Sequence, residues 1–463
     1  MLRTLAGRLL GLLPRGAILL SALTFTSYVM GLLRDRTFAR TYGASIELDA
    51  YNAALIVPEL VLDVLVIAGL SAAFVPVFSR SQRERADAAT AFSRTVLTVA
   101  ILLMAVADVI LFVIAPATAA WVVPGFDAAE RELYVQLFRI MLVTALIFAA
   151  SFALGEMLVA RQRFLGYGLA PVLYNLGIVL GAAFLSPFIG IYGAAVGTVI
   201  GAAMHLGVRS LDILRTDFRF RPRLEIRSAT FVEYVKLSIP KAVSQPIEPL
   251  VFAYFTAVAT TFVAGSVSSV SFARNFQSVP VSLIGIAFSV AAFPVLSAAY
   301  AAGDRPRFVS LVRTNLVTIT ALTIGAAIAL ALVAELAISV LLGGEAFDAD
   351  DVARTTLLLG AFALSVPLES ATHLLARAVY ATHNTILPVI ASIVGLGVIV
   401  VTANLLAEAV GLVALPLAFA AGMAAKVAVL GVTVVARTRR MSPGQGMDAS
   451  GTPPSGVVGT TAR

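Results

Sequence analysis

Long apolar runs recur along the whole chain, and they limit its fold more than any other feature. About 20 mostly apolar residues are what an α-helix needs to cross a bilayer. Such runs are read at 16–33, 50–78, 92–120, 133–159, 169–189, 190–208, 230–256, 258–298, 309–342, 355–380, 386–407 and 410–435. They are continuous rather than alternating, which argues against a membrane β-barrel. Within a bilayer every backbone N–H and C=O must be satisfied by the chain itself, and a helix does this locally. Three boundaries are soft. The run 92–120 is expected to end at Pro116, 258–298 is long enough to hold a break or outer loop, and only SPFIG (186–190) separates 169–189 from 190–208. The expected fold class is an all-α polytopic membrane protein of about 12 transmembrane helices.

Composition closes the alternatives. Of 463 residues, 59% are apolar and 13% charged, where a soluble domain carries about 25% charged residues. A water-facing globule of this make-up would expose large apolar patches. The absence of cysteine excludes disulfides, iron–sulfur clusters and thiolate-bound metals. The three histidines, His205, His373 and His383, are scattered, and no metal site is expected. The formal charge of +7 need not mean nucleic acid, because basic residues of membrane proteins gather in cytoplasmic loops. With the N-terminus inside, inner segments hold 23 of the 33 basic residues; outer segments hold Arg34, Arg36, Arg40, Arg131 and Arg354. That asymmetry places both termini in the cytoplasm. The opening MLRTLAGRLLGLLPRG reads as an uncleaved lead-in to the first span. Residues 437–463, rich in Gly, Ser, Pro and Thr, read as a disordered cytoplasmic tail.

Two segments echo two others. LSAAFVPVFS (70–79) matches FSVAAFPVLS (288–297), placing Pro76 and Pro294 218 residues apart. LVARQRFLGYGLAPV (158–172) matches LLARAVYATHNTILPV (374–389), placing Arg161 and Arg377 216 apart. Two matches at nearly one offset point to a duplicated six-span unit, with chance similarity among apolar helices as the alternative. The expected plan is two pseudo-symmetric six-helix lobes around a central cavity: 1–210, a basic cytoplasmic linker at 211–229, and 230–436. Such lobes rock to open alternately.

Ionisable residues at membrane depth are costly and usually face a cavity. The first half offers Glu59, Asp63, Asp108, Arg139 and Glu156. The second offers Glu233, Lys236, Lys241, Glu248, Arg274, Glu335, Glu369 and Lys426. Glu156, Glu233, Lys236, Glu335 and Lys426 sit near helix ends and read as snorkelling. Arg274 lies in VSFARNFQSVP beside Asn275 and Gln277. Its planar fork suits phosphate or carboxylate, and a lobe-to-lobe salt bridge with Glu59 or Asp63 is the alternative. Arg34, Asp35, Arg36 and Arg40 run against the charge asymmetry. Either Asp35, Glu47 and Asp49 pair with them, or they line an outer mouth that draws in an anion. Pro58, Pro76, Pro240, Pro246, Pro249, Pro280, Pro294 and Pro367 can interrupt helices. Ser244, Gln245, Glu248 and Glu369 offer a weak set of oxygen ligands for a cation. No GxxxxGK[ST], HExxH, GxSxG, haem or flavin motif is present. The reading is a secondary transporter rather than an enzyme, with no cofactor, driven by an ion, potential or substrate gradient.

The chain resembles the MurJ (MviN) family of lipid II flippases, within the superfamily that also holds multidrug MATE transporters and polysaccharide flippases. The resemblance rests on GLLRDRTFARTYGASIELDAY (31–51), AAFVPVFSR (72–80), RFLGYGLAPVLYNLGIV (163–179), FARNFQSVPVSLIGIAFSVAAFPVLS (272–297) and LLARAVYATHNTILPV (374–389). It implies a flippase that moves a lipid-linked peptidoglycan precursor from the inner to the outer leaflet of the bacterial cytoplasmic membrane. It further implies that Arg34 and Arg274 are cavity arginines and Asp49 an outer acid. Asp63, Glu59, Asn275 and Gln277 complete the substrate-binding set. Coupling to membrane potential or sodium is implied. So are a lipid-linked anionic substrate, membrane lipids, no nucleic acid, cell-wall synthesis or division proteins as partners, and a monomer. The chain departs from the family where Tyr28 replaces an arginine, Leu62 and Asp63 replace an Arg-Arg pair, and Ile67 replaces an acid. Family members usually add two C-terminal spans that form a lipid-lined groove. Fewer cavity cations should weaken an anionic diphosphate's binding. That keeps open the export of another polyprenyl-linked saccharide or of an organic cation.

Overall fold

The computed structural model describes residues 15–441. The lead-in before Arg15 and all but the first residues of the expected tail lie outside the described residues. Among the described residues the regular structure is entirely helical.

Helix α1 runs Arg15–Tyr42 and α2 runs Ile46–Leu62. Ser45 caps α2 by accepting from Leu48 N at 3.4 Å. Beyond α2 the chain loosens into two π-helical turns, Asp63–Ile67 and Leu70–Phe74, before α3, Val75–Glu84. Pro58 and Pro76 bracket this stretch. A proline removes one N–H and crowds the preceding turn, and a π-turn is one way for the backbone to absorb the misfit. α4 spans Ala86–Val122. Contrary to expectation Pro116 does not end it; the lost hydrogen bond falls near the helix end, and the helix continues to Val122. α5, Ala128–Ala160, opens on a capping box between Asp127 and Glu130. α6, Phe164–Leu180, passes through a π-turn at Gly181–Leu185 into the short α7, Ser186–Ile189. Gly190, at φ 57, then reverses the chain into α8, Tyr192–Ile213; only glycine takes that conformation without strain.

The rest comprises α9 (Ala229–Ser244), α10 (Ile247–Ala259), α11 (Ser266–Pro280), a π-turn at Val281–Ile286, and α12 (Ala287–Ala301). The long 258–298 run therefore contains its break, between Ala259 and Ser266. α13 (Arg305–Leu341), α14 (Ala349–Ala363), α15 (Ser365–Ala381), α16 (Ile386–Val410) and α17 (Ala414–Arg439) follow.

Among the described residues eight segments are long and apolar enough to cross a membrane, or nine with the α14–α15 pair, which bends by 42°. One of the eight, Ile386–Arg439, has 54 residues. That is about 80 Å of helix against a hydrocarbon core of about 30 Å. Gly411, at φ 61, breaks it, and α16 packs along α17, so it is a hairpin of two span-length helices. α1 has 28 residues but carries Arg34, Asp35, Arg36 and Arg40. α9 and α10 have 16 and 13 residues and share one apolar run. Counting the hairpin twice, and the bent pair, α1 and α9–α10 once each, gives twelve; length and composition alone mark eight or nine.

The chain forms two compact units, Met1–Val270 with Ala337–Ala353, and Ser271–Leu336 with Arg354–Arg463. The first unit runs past the basic stretch 211–229 to Val270. The reason is that α9 packs on α3, α4 and the π-turns after α2, while α10 packs on α2 and α4. In the first unit Phe74, Phe78, Phe92, Phe148 and Tyr234 anchor the core. α6 and α8 meet through small residues, and a Cβ on Gly177 would strike the Gly201 backbone. Close glycine contact of this kind is how membrane helices gain packing without a hydrophobic drive. In the second unit Leu296, Phe308, Ile319, Leu374 and Leu430 form the core.

The internal echo has a backbone counterpart. The π-turn starting at Val281 lies 218 residues after the one starting at Asp63, the spacing of Pro76 and Pro294. The two described non-glycine residues with positive φ, Gln162 and His383, sit in the turns preceding α6 and α16.

Candidate functional site

Two groups of ionisable residues stand on the helices, one in each unit. In the first unit Arg34, near the end of α1, donates from Nε and Nη2 to Asp35 Oδ1, at 3.0 and 2.8 Å. Its Nη1 donates to Asn175 Oδ1 on α6 at 3.2 Å. Asn175 is held in turn, its Nδ2 donating to Pro171 O at 3.0 Å. Three of the five guanidinium N–H donors are thus used, and the side chain keeps 26% of its exposure. Sequence reasoning missed Asn175; the signal was one polar amide in an apolar helix, one turn after Pro171.

Around Arg34 the helices bring further groups. Glu59 lies within electrostatic range of Arg34 and Asp63. Tyr51 and Tyr174 lie within range of both Arg34 and Glu59. Tyr51 is fixed by a 2.6 Å hydrogen bond with Thr198 and an edge contact with Phe38. Asp63, opening the π-turn, is in range of Lys241. The first-unit group therefore sets two cations, Arg34 and Lys241, against three acids, Asp35, Glu59 and Asp63.

Asp49 is held by backbone and hydroxyl donors. It is 1% exposed, and its carboxylate accepts from Gly265 N at 2.8 Å, Ser268 N at 2.7 Å and Ser268 Oγ at 2.6 Å. Those are the donors at the start of α11, which a carboxylate both caps and stabilises by charge. Gly265 stands at φ 83, where glycine is needed. The basic cluster on α1 is partly accounted for in the same way. Arg36 Nη1 donates to Val340 O at 2.9 Å and Leu341 O at 3.3 Å, capping the C-terminal end of α13. Glu47 is exposed at the start of α2. Of the residues read as snorkelling, Glu233 forms a two-bond ion pair with Arg80.

In the second unit Arg274, on α11, meets Glu369, on α15. Nη1 donates to Glu369 Oε2 at 2.9 Å and Nη2 to Oε1 at 2.8 Å. Gln277, fully buried, accepts from Arg274 Nη1 through Oε1. Its Nε2 donates to Glu369 Oε2 at 2.9 Å and Ser365 Oγ at 3.1 Å. The guanidinium stacks over Phe419 of α17 at 4.9 Å, and Phe419 packs edge-on to Phe362 at 6.0 Å. Arg274 keeps 14% of its side-chain exposure, and Asn275 next to it is exposed. Arg274 thus has a carboxylate partner within its own unit, Glu369. The sequence marks Glu369 as an ionisable residue at membrane depth and a weak cation ligand; its matching to Arg274, 95 residues away, is a tertiary fact. The side chain of Ser244 lies outside the described residues.

Comparison with known proteins agrees with this architecture. A family model described as "Lipid II flippase MurJ" matches residues 38–450. The lipid II flippase MurJ of Burkholderia cenocepacia is 25% identical over 401 residues, covering 84% of this chain and 76% of the relative. The probable lipid II flippase MurJ of Rickettsia prowazekii is 23% identical over 381 residues, covering 81% and 74%. Among solved structures, a lipid II flippase MurJ in an inward closed conformation superposes with a TM-score of 0.78 at 22% identity, covering 92% of this chain and 90% of that one. An inward-facing multidrug resistance MATE family transporter superposes with a TM-score of 0.76 at 15% identity, covering 92% and 100%.

Proposed function

We propose that this chain, which belongs to the lipid II flippase MurJ family, moves a lipid-linked peptidoglycan precursor from the inner to the outer leaflet of the bacterial cytoplasmic membrane by alternating access. The observation that carries the reading is Arg34. It is a guanidinium set in a membrane helix, oriented by Asp35 and Asn175, with one N–H on each terminal nitrogen left to receive phosphate oxygens. A diphosphate diester carries two negative charges, and the hydrocarbon core resists them strongly. Polar and charged groups along the spans lower that barrier by replacing part of the lost hydration. No covalent chemistry is needed, so the protein acts as a transporter rather than an enzyme.

Energy for the step comes from the membrane potential in this reading. Two negative charges moving outward across an inside-negative membrane gain about 4–5 kcal/mol per 100 mV. Sodium is a second candidate drive. The protein works as a monomer with both termini cytoplasmic, and cell-wall synthesis or division proteins are its candidate partners.

Depletion of the protein is expected to trap the precursor on the inner leaflet, read by accessibility of the sugar to an external modifying enzyme. An outer-leaflet pool of normal size would sink the proposal. A second reading draws on the first-unit group, where three acids face two cations. That balance suits another polyprenyl-linked saccharide or an organic cation. Competition in reconstituted vesicles between a lipid-linked sugar diphosphate and an organic cation separates lipid-linked cargo from a cation: export of an organic cation is the reading that holds if only the cation competes.

A further inference from the structure

The second-unit arginine is not presented as an open anion site. Glu369 occupies its fork with two parallel bonds of 2.9 and 2.8 Å. It is 5% exposed and receives a third bond from Gln277. Behind the pair lies the Phe419 ring. The Arg274 side chain retains 14% of its exposure, and an anion that reaches it meets the Glu369 carboxylate at the same fork. An anion and an ionised Glu369 cannot share one guanidinium in so dry a setting, because like charges at hydrogen-bond range disfavour each other's ionisation. Removal of the counterion leaves the carboxylate buried, and a buried carboxyl without a cation is stable only when protonated.

We propose that Glu369 sets the charge specificity of this site. An anionic headgroup binds Arg274 only by displacing Glu369, which takes up one proton from solvent as it leaves the guanidinium. The exchange is balanced: the Arg274–Glu369 ion pair is replaced by an Arg274–anion pair and a neutral carboxylic acid. Gln277 is built to tolerate it, since its amide bonds both partners and Ser365 and can hold the acid once Arg274 turns to the ligand. The proposal rests on the flippase reading for the class of ligand and adds the linkage.

The ionisable groups around Glu369 are few. Arg274 comes from α11. His373 lies one turn on along α15, within electrostatic range of Glu369. α12 and the π-turn before it, both packed on α15, carry no ionisable residue except Tyr300 at the far end of α12. α17 carries Lys426 two turns beyond Phe419, with Arg437 and Arg439 at its end. α16 carries Glu408 in its last turn. Among the described residues of these elements, His373 is thus the competing proton acceptor within electrostatic range of Glu369.

The test uses the full chain in detergent and a short-chain prenyl-diphospho-sugar, a diphosphate diester whose two charges do not titrate between about pH 5 and about pH 8. Calorimetry in buffers of different ionisation enthalpy counts the protons taken up on binding, and needs no substitution. The expected result is uptake of about one proton per ligand and affinity that falls as pH rises. Glu369→Gln should abolish the uptake, flatten the pH dependence and bind about tenfold tighter at neutral pH. His373→Gln should keep the uptake. Binding without proton uptake overturns the Glu369 proposal and leaves the flippase reading standing. Loss of uptake in His373→Gln rather than Glu369→Gln also overturns it. No binding at any pH overturns both.

Discussion

The two arginines carried over from the family resemblance are held in opposite ways. Arg34 is paired with its own sequence neighbour, sharing a single oxygen of Asp35, and steadied by an amide from another helix. Arg274 is paired fork to fork with both oxygens of a glutamate on another helix. The first arrangement leaves more of the arginine side chain open, 26% against 14%. The second consumes the face of the guanidinium that would meet an anion. Residue type is alike in the two cases; what differs is whether the counterion comes from the same helix or from another one. An arginine at membrane depth is therefore poised for ligand only when its counterion leaves part of the fork free.

The largest effect expected from this contrast is on Glu369→Ala. It strands a buried guanidinium and should cost about 3–5 kcal/mol, read as a fall in thermal unfolding temperature in detergent. Asp35→Ala removes a monodentate partner from a more open arginine and should cost about 1–3 kcal/mol. Equal losses would break the comparison. Asp49→Asn comes next. It keeps one acceptor at the start of α11 but removes the charge and one oxygen, for about 1–2 kcal/mol, and a variant as stable as wild type would show that the cap contributes nothing. Asn175→Ala should be the mildest for stability, about 0.5–1.5 kcal/mol, yet it should slow transport by loosening the pose of Arg34. Transport at the wild-type rate would mean that Asn175 does not orient Arg34.

How much of this was legible beforehand follows a physical line. Continuous apolar runs report helices directly, because a bilayer admits no other open-ended backbone; hence α4, α5 and α13 were read nearly whole. Prolines were harder. Pro116 removed one bond near a helix end and changed nothing visible, while Pro58 and Pro76 bracket two π-turns. The cost of a proline depends on where the lost donor falls and on what packs against it, and spacing does not carry that. The site divides similarly. Arg34, Glu59 and Asp63 were recoverable as charges out of place in apolar sequence. Asn175, and Ser268 as the partner of Asp49, were not, because nothing in composition says that α6 meets α1 or that the start of α11 meets α2.

By itself, then, the sequence determined that this is a helical membrane protein, which residues are charged at depth, that its two halves echo each other, and which family it resembles. Each of these is a property of residue type and spacing, and hydrophobicity and period act locally. Only the tertiary structure decided which charge neutralises which. That choice turns on angstrom-scale approach between helices far apart in the chain, as when Glu369 reaches Arg274 and Asp49 reaches Gly265. Electrostatic energy in a dry interior depends steeply on that separation, so the same list of charges can describe an open anion site or a closed ion pair.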